Sequence, residues 1–222
     1  MKHIVIDLEM NTIAQQYMKE REISRNEVIQ IGAILLDDQY QEIGSFSTLV
    51  KPQYNEQIVR KIEKLTGIST EMVQIAPVFA DAFAEFLSWC HSFNDDIQIY
   101  QWSESDYEQL ANEIKLKKIS LNAADPALLL GFQNFQKEYG DKLGLSRAVS
   151  LKDAIMYAGI DFSGRQHDAL ADAKNTAALL RIVRIPELCK AALEKVINAL
   201  NPKPFGTSLG DLIHFDMLDL PA

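Results

Sequence analysis

Apolar positions along the chain fall into two periodicities. Ile4 to Leu8 is an apolar run broken by one acid, and Val28 to Leu36 and Glu42 to Val50 are rich in β-branched and aliphatic residues. Such segments predict strands. A polar loop from Thr12 to Arg25 separates the first two, and the turn-forming Asp37-Asp38-Gln39-Tyr40 separates the second and third. Short connections of this kind predict an antiparallel meander. The spacing then changes to the helical period. Val78, Phe79, Ala82, Phe83, Phe86, Leu87 and Cys90 form one stripe, with Pro77 at the first turn, where proline is tolerated. Ile97 to Trp102 predicts a short strand and Asp106 to Leu116 a helix, whereas Ala127 to Phe135 fits a buried strand or the start of a helix. Leu151 to Ala158 and Asp168 to Val183 predict helices, and Pro186 opens an amphipathic one through Leu200. Strands first, then alternating helices and strands, imply an α/β domain with a mixed sheet covered by helices.

Composition narrows the class. A chain of 222 residues with 47% hydrophobic content can bury one globular core. Apolar stretches such as Ile29 to Leu36 and Ala177 to Val183 are far short of the ~20 residues a membrane span requires, so a soluble protein without a membrane partner is expected. Asp7 and Glu9 interrupt the N-terminus before a secretory h-region could form. Cys90 and Cys189 lie in apolar helical surroundings without metal-ligand spacing, which predicts buried free thiols in a reducing cytoplasm. Twenty-two basic against 31 acidic side chains give a net charge of -9. That excludes a broad positive face coating nucleic acid. It leaves room for a phosphodiesterase whose carboxylates converge on cations that reverse the local sign.

Two constellations carry candidate chemistry. Asp7 and Glu9 stand two apart on the first strand, so both carboxylates leave the same sheet face near its C-terminal end. Like charges so close are unfavourable without a cation. The pattern alone is weak, since Asp106-Tyr107-Glu108 repeats it. The second constellation is His167 and Asp172 within Gly164-Arg165-Gln166-His167-Asp168-Ala169-Leu170-Ala171-Asp172-Ala173. The same separation occurs in His91/Asp96 and His214/Asp219, so context decides. His167 precedes an N-cap, Asp168, and Asp172 lies in the first turns of the helix, so a loop histidine and a helical acid can face one pocket. His91 instead ends an apolar helix, where a partly buried structural side chain is expected, and His214 lies in a tail outside the pattern.

With these motifs in order, the sequence resembles the DEDDh group of DnaQ-like 3'-5' exonucleases from Ile4 to about Val183. The motifs are Ile4-Val5-Ile6-Asp7-Leu8-Glu9, Glu27-Val28-Ile29-Gln30-Ile31-Gly32-Ala33 and Leu65-Thr66-Gly67-Ile68-Ser69, followed by Phe162 to His167 and Asp172 to Ala177. The last two are most similar to the Eri-type and KapD-like branch, whose better-known members act on RNA. The resemblance implies a ribonuclease H-like α/β fold: a mixed β-sheet, antiparallel meander plus parallel strands, flanked by helices. It implies an exonuclease domain over residues 1–184, to which a C-terminal helix and tail, 185–222, are appended. The middle motif departs most, reading Tyr100-Gln101-Trp102-Ser103-Glu104-Ser105-Asp106 where many relatives have a small or Asn-containing segment. Asp106 is the candidate acid, opening a helix with Leu110 one turn on, and Glu104 is its rival. Asp95 and Asp96 fit the turn before the strand.

The implied activity is hydrolysis of phosphodiester bonds at the 3' ends of single-stranded RNA or DNA, RNA favoured, releasing nucleoside 5'-monophosphates. Two divalent ions can neutralise charge at phosphorus, activate water and stabilise the leaving oxygen. Oxygen ligands favour Mg2+ or Mn2+. By resemblance Asp7 bridges the ions, Glu9 and Asp172 complete the nucleophile-side site, and Asp106 holds the second ion. His167 is the general base, histidine being the side chain that changes protonation near neutral pH. Met10, Asn11 and Trp102 are candidate substrate contacts, with a buried position at the sheet end the alternative for Trp102. Arg60, Lys61, Lys64, Lys115, Lys117 and Lys118 are candidates to follow a phosphate backbone, with solvated helix faces the alternative. Two rival functions stay open: a binding module of the same fold without catalysis, and a hydrolase of very short oligonucleotides, toward which the acidic balance points. The helix from Pro186 and the apolar tail from Asn201 either cap the domain or form a homodimer.

Overall fold

The chain's structure, a computed structural model, describes residues 1–93, 95–144 and 147–200, and the tail from Asn201 with His214 lies outside the described residues. In order, β1 spans Lys2–Thr12, α1 Met18–Arg21, β2 Asn26–Leu36, β3 Glu42–Leu49, α2 Arg60–Thr66, α3 Thr70–Gln74 and α4 Phe79–His91. Then follow β4 Ile97–Gln101, α5 Ser105–Leu116, α6 Asp125–Leu130, β5 Phe132–Asn134, α7 Phe135–Leu143, α8 Leu151–Ala158, α9 Ala169–Arg184 and α10 Pro186–Leu200. The strands form one sheet ordered β3-β2-β1-β4-β5, in which β1, β2 and β3 pair antiparallel while β4 and β5 run parallel to β1. The meander is therefore as the pattern predicts, and the sheet is mixed.

Three local readings are corrected. Strand β1 runs four residues past Leu8 because Met10, Asn11 and Thr12 keep pairing with β2 beyond a bulge at Glu9/Met10. The segment Ala127 to Phe135 is neither one buried strand nor one helix start: it holds the end of α6, the partly exposed edge strand β5 and, at Phe135, the first residue of α7. Helix α4 begins at Phe79 after an extended Val78, and Pro77 lies before that cap, where its carbonyl accepts from the Lys51 amide at 2.8 Å. No helix among the described residues is long and apolar enough to cross a membrane.

Alternation along β1 divides the core. Ile4, Ile6 and Leu8 point to a layer containing Phe79, Phe83 and Phe86 of α4 and Leu110 of α5. Val5 points to the opposite layer, with Ala154 and Ile155 of α8 and Ala173, Leu179 and Leu180 of α9. Period-2 geometry sends Asp7 and Glu9 to that second face. A smaller cluster of Ile29, Ile58, Ile68 and Val73 seats α2 and α3 beside it. Cys90 is buried and Cys189 only half-buried, both as free thiols; burial pushes the Cys90 thiol well up.

Helix α9 reaches the sheet where β2 carries Gly32, the register partner of Asp7. A Cβ at Gly32 would lie 2.3 Å from the carbonyl carbon of Ala169 and from the amide nitrogen of Leu170. Backbone cannot yield as a flexible side-chain tip can, so this glycine allows the first turn of α9 to approach Asp7. Gly32→Val is therefore expected to destabilise the fold by at least about 1–3 kcal/mol, the range for overpacked cores. A denaturant midpoint unchanged from wild type would show that α9 has slack here.

Candidate active site

The acids of the first and last motifs meet at one end of the sheet. Glu9 is buried, and its carboxylate, the His167 ring and the Asp172 carboxylate offer ligand atoms that all lie within 4.8 Å of one another. Asp168 caps α9 as expected, its Oδ1 accepting from the Ala171 amide at 3.0 Å. The Gln30 side chain of β2 accepts from the Ala169 amide at 3.1 Å, tying the same turn to the sheet. Asp172 then sits one turn into the helix. Its Oδ2 accepts from the His167 amide at 3.1 Å, while its buried Oδ1 has no hydrogen-bond partner. A buried carboxylate oxygen without a hydrogen-bond partner, close to the Glu9 carboxylate and the His167 ring, is a free hard ligand atom, so the donor set fits a divalent metal.

The middle motif resolves in favour of Asp106 on position. It is buried in the first turn of α5, and its Oδ1 accepts from the Leu8 amide at 3.2 Å, which fixes it against the strand between Asp7 and Glu9. Glu104 is exposed at the helix cap and makes no capping bond. Asp95 pairs instead with the N-terminal amine, at 3.6 Å, and with Lys2.

Burial and mutual repulsion push all four carboxylates up. Asp7 stands well above the usual carboxylate range, first through desolvation and then through Asp106, Asp172, Glu9 and Asp168. Glu9 is raised to about 8, by burial first and then by Asp172 and Asp106. Asp106 rises to about 7 through burial, against the opposing Leu8 amide. Asp172 rises less, its desolvation being offset by the His167 amide. An acid whose folded pKa exceeds its unfolded value, near 4, binds more protons folded. Its stabilising effect is complete below pH ~4 and disappears as pH rises through the folded value. With chelator present, the melting temperature should therefore fall between pH 5 and pH 8, less so in Glu9→Gln, and added Mn2+ should restore it at pH 8. A melting temperature that climbed toward pH 8 in chelator, equally in both proteins, would contradict this electrostatic reading.

Other candidates are placed elsewhere. Trp102 is buried against Phe135 and Tyr139, with ring centroids 5.9 and 5.7 Å away, so it is core and has no free face for a base. Asn11 is also buried, and its side chain holds the 55–59 loop: Nδ2 donates to the Gln57 carbonyl at 3.1 Å and Oδ1 accepts from the Val59 amide at 3.0 Å. That side-chain amide is thereby committed to the loop. Met10 packs partly on the α4 layer and keeps partial exposure beside Glu9. Lys117 is withdrawn from any phosphate track, since its side chain is 4% exposed and its Nζ lies 2.7 Å from Glu113 and 3.4 Å from Glu27. Arg60, Lys61, Lys64, Lys115 and Lys118 are exposed. His91 ends α4 with its Nε2 2.9 Å from Asp125, a structural pair as expected.

The loop before α9 holds residues whose roles the sequence did not reveal. Asn175 is buried and donates to the Ser163 and Ala171 carbonyls at 2.8 and 2.7 Å while accepting from the Ser163 amide at 2.9 Å. His167 adopts a left-handed backbone with φ +61 and is exposed, an uncommon conformation for a residue with a side chain. Asn175 stood within the Asp172 to Ala177 motif, where nothing local shows that its amide ties α9 to the Ser163 backbone.

A family model described as Exonuclease, RNase_T, matches residues 4–180. The chain is 28% identical to ERI1 exoribonuclease 2 of Mus musculus over 207 residues, 84% of this chain and 30% of that protein. It is 26% identical to 3'-5' exoribonuclease 1 of Mus musculus over 163 residues, 69% of this chain and 46% of that one. The chain thus spans about a third to a half of the length of these curated relatives. Among solved structures, the nuclease domain of 3'hExo, described as a DEDDh family member bound to rAMP, superposes with TM-score 0.70 at 20% identity, covering 82% of this chain and 90% of that one. Cell-death related nuclease 4 superposes with TM-score 0.68 at 22% identity, over 82% and 63%. These likenesses show the same ribonuclease H-like fold.

Proposed function

The chain belongs to the RNase_T exonuclease family, and from that premise we propose that it is a metal-dependent 3'-5' exonuclease releasing nucleoside 5'-monophosphates from single-stranded nucleic acid, RNA in preference to DNA. The observation that carries this reading is the convergence of Asp7, Glu9, Asp106, Asp172 and His167 at one end of the sheet, with a buried Asp172 oxygen left unpartnered. The RNA preference rests on the relatives, which are named exoribonucleases.

Asp7, Glu9, Asp106 and Asp172 would hold the metal, Mg2+ or Mn2+ and two ions in our reading, which when bound supplies charge neutralisation at phosphorus and an activated water. The chain's own residues do the rest. The four carboxylates, pushed up by burial and repulsion, would release protons on holding a cation, whose charge would compensate theirs. His167, on a loop and exposed, can receive the proton of the attacking water at its ring nitrogen and pass it to solvent. Its amide bond to Asp172 keeps ring and carboxylate in one frame. The 3'-terminal nucleotide then lies against Met10, the partly exposed apolar side chain next to Glu9.

The rival reading, a hydrolase of very short oligonucleotides, is favoured by the net charge of -9 and by the withdrawal of Lys117 from the basic track. The test is hydrolysis of paired RNA and DNA oligonucleotides of equal sequence and several lengths, with Mn2+, Mg2+ or chelator. A metal-dependent ladder shortening from the 3' end, faster on RNA, is expected. No cleavage at any length by folded, metal-bound protein would leave the binding-module reading standing.

A further inference from the structure

We propose that Arg165 is the positioning residue of the His167 loop, acting as a latch between that loop and the C-terminus of α2; this rests on the exonuclease reading above. The latch joins segments about a hundred residues apart. Arg165 Nη2 donates to the carbonyls of Lys64 and Leu65 at 2.9 and 3.1 Å. These belong to the last turn of α2, where carbonyls lack helical partners and the helix dipole favours a cation.

Both sides are shaped for the guanidinium. Gly67 closes α2 with φ +75, its amide bonded to Glu63 O at 2.8 Å, and a Cβ built on it would lie 1.8 Å from Arg165 Nη1. Any side chain at position 67 would therefore occupy the space of the guanidinium. On the other side, Gly164 has φ +80, and a Cβ there would come within 2.9 Å of the Ala171 side chain. The loop can thus turn sharply only at a glycine, and the arginine that follows is aimed away from α9 toward α2.

Without this latch the loop has two remaining ties, Asn175 to Ser163 and Asp172 to the His167 amide. The first lies four residues before the imidazole. The second bonds an exposed backbone held in the left-handed region, which an unconstrained chain leaves readily. Residues 164–167 would be free to swing, and His167 would meet the attacking water in a smaller fraction of encounters. A misplaced general base lowers turnover and leaves substrate binding intact. Lysine is not an equivalent substitute, since a planar fork bridges two carbonyls with less loss of freedom than a flexible ammonium.

The test compares wild type with Arg165→Ala, Arg165→Lys, Gly67→Ala and the Arg165→Ala/Gly67→Ala double variant, using a short RNA with Mn2+. Arg165→Ala is expected to lower kcat at least tenfold with KM within twofold, and Arg165→Lys to recover part of the loss. Guanidinium ion at a non-denaturing concentration should restore part of the Arg165→Ala rate and none of the His167→Ala rate. Gly67→Ala should lower kcat in the same manner, and the double variant should be no slower than the slower single one, because both remove one interaction. A raised KM with unchanged kcat would overturn the proposal by showing that Arg165 grips substrate phosphate. Unchanged kcat and KM in folded Arg165→Ala would overturn it as well. If wild type itself hydrolyses nothing, the exonuclease reading fails, and amide hydrogen exchange still tests the latch. Faster exchange across residues 162–168 in Arg165→Ala is expected, and unchanged exchange would refute the latch.

Discussion

Asp7→Asn is expected to lower kcat by about a thousandfold or more while raising the melting temperature of the metal-free protein. The amide is nearly isosteric, and Asp7 sits mid-strand in register with Gly32, so the backbone has no reason to move. The substitution removes a carboxyl pushed up first by desolvation and then by repulsion from Asp106, Asp172, Glu9 and Asp168. Without a cation those repulsions oppose folding, so their removal stabilises. In the proposed metal site the same carboxylate would be a ligand, and a neutral amide oxygen binds a hard divalent ion far less well. Loss of about 4 kcal/mol of transition-state stabilisation corresponds to that thousandfold. Thermal melts with chelator and with Mn2+ supply the check. The variant should melt above wild type in chelator and gain less from metal. Near-wild-type hydrolysis in a clean preparation would remove Asp7 from the site.

His167→Ala is expected to cost between about 10² and 10⁴ in kcat, the range for loss of a positioned general base, with metal-dependent stabilisation retained in large part. His167 is exposed and its side chain supports no core contact, so folding should be unaffected. The four carboxylates remain, which separates this variant from Asp7→Asn. Two matched controls share the histidine-to-acid spacing. His91→Ala removes a pair with Asp125 at the far end of α4, and Asp96→Ala removes an exposed acid before β4. Both should keep kcat within a few-fold. A similar loss in His91→Ala would mean that the assay reports stability and not chemistry.

Much of the site was legible because strands and helices impose short periods. Asp7 and Glu9 two apart on a strand must share a face, and Asp168 before an apolar helical stripe must cap it, whatever else the chain does. The structure places both so. Asp106 and Glu104 could not be separated by such reasoning, since both flank the same helix start. Only the approach of α5 to β1, where the Leu8 amide meets Asp106, distinguishes them. Lys117 misled for a related reason. Its sequence neighbours Lys115 and Lys118 are exposed, but its position four after Glu113 turns it inward, onto two buried carboxylates and over the Phe79 ring at 5.1 Å. Trp102 was ambiguous because such a side chain can face solvent or core at a strand end, and the burial of Asn11 was hidden because pairing of β1 with β2 beyond Leu8 is a tertiary matter.

The sequence by itself determined the antiparallel meander, the core helix α4, the face carrying Asp7 and Glu9, and the helix carrying Asp172, since each depends on residues within a few positions of one another, whereas the short helices α1, α2 and α3 carry too few periodic positions to show. The tertiary structure alone decided which middle acid turns inward, how closely α9 approaches Asp7 across Gly32, and that Arg165 anchors the His167 loop to carbonyls about a hundred residues earlier. The physical reason is the range of the forces involved. Periodicity and capping are set by backbone geometry and act locally, whereas repulsion among four carboxylates, a backbone contact at a glycine and a guanidinium over a helix end exist only after packing has brought distant segments together.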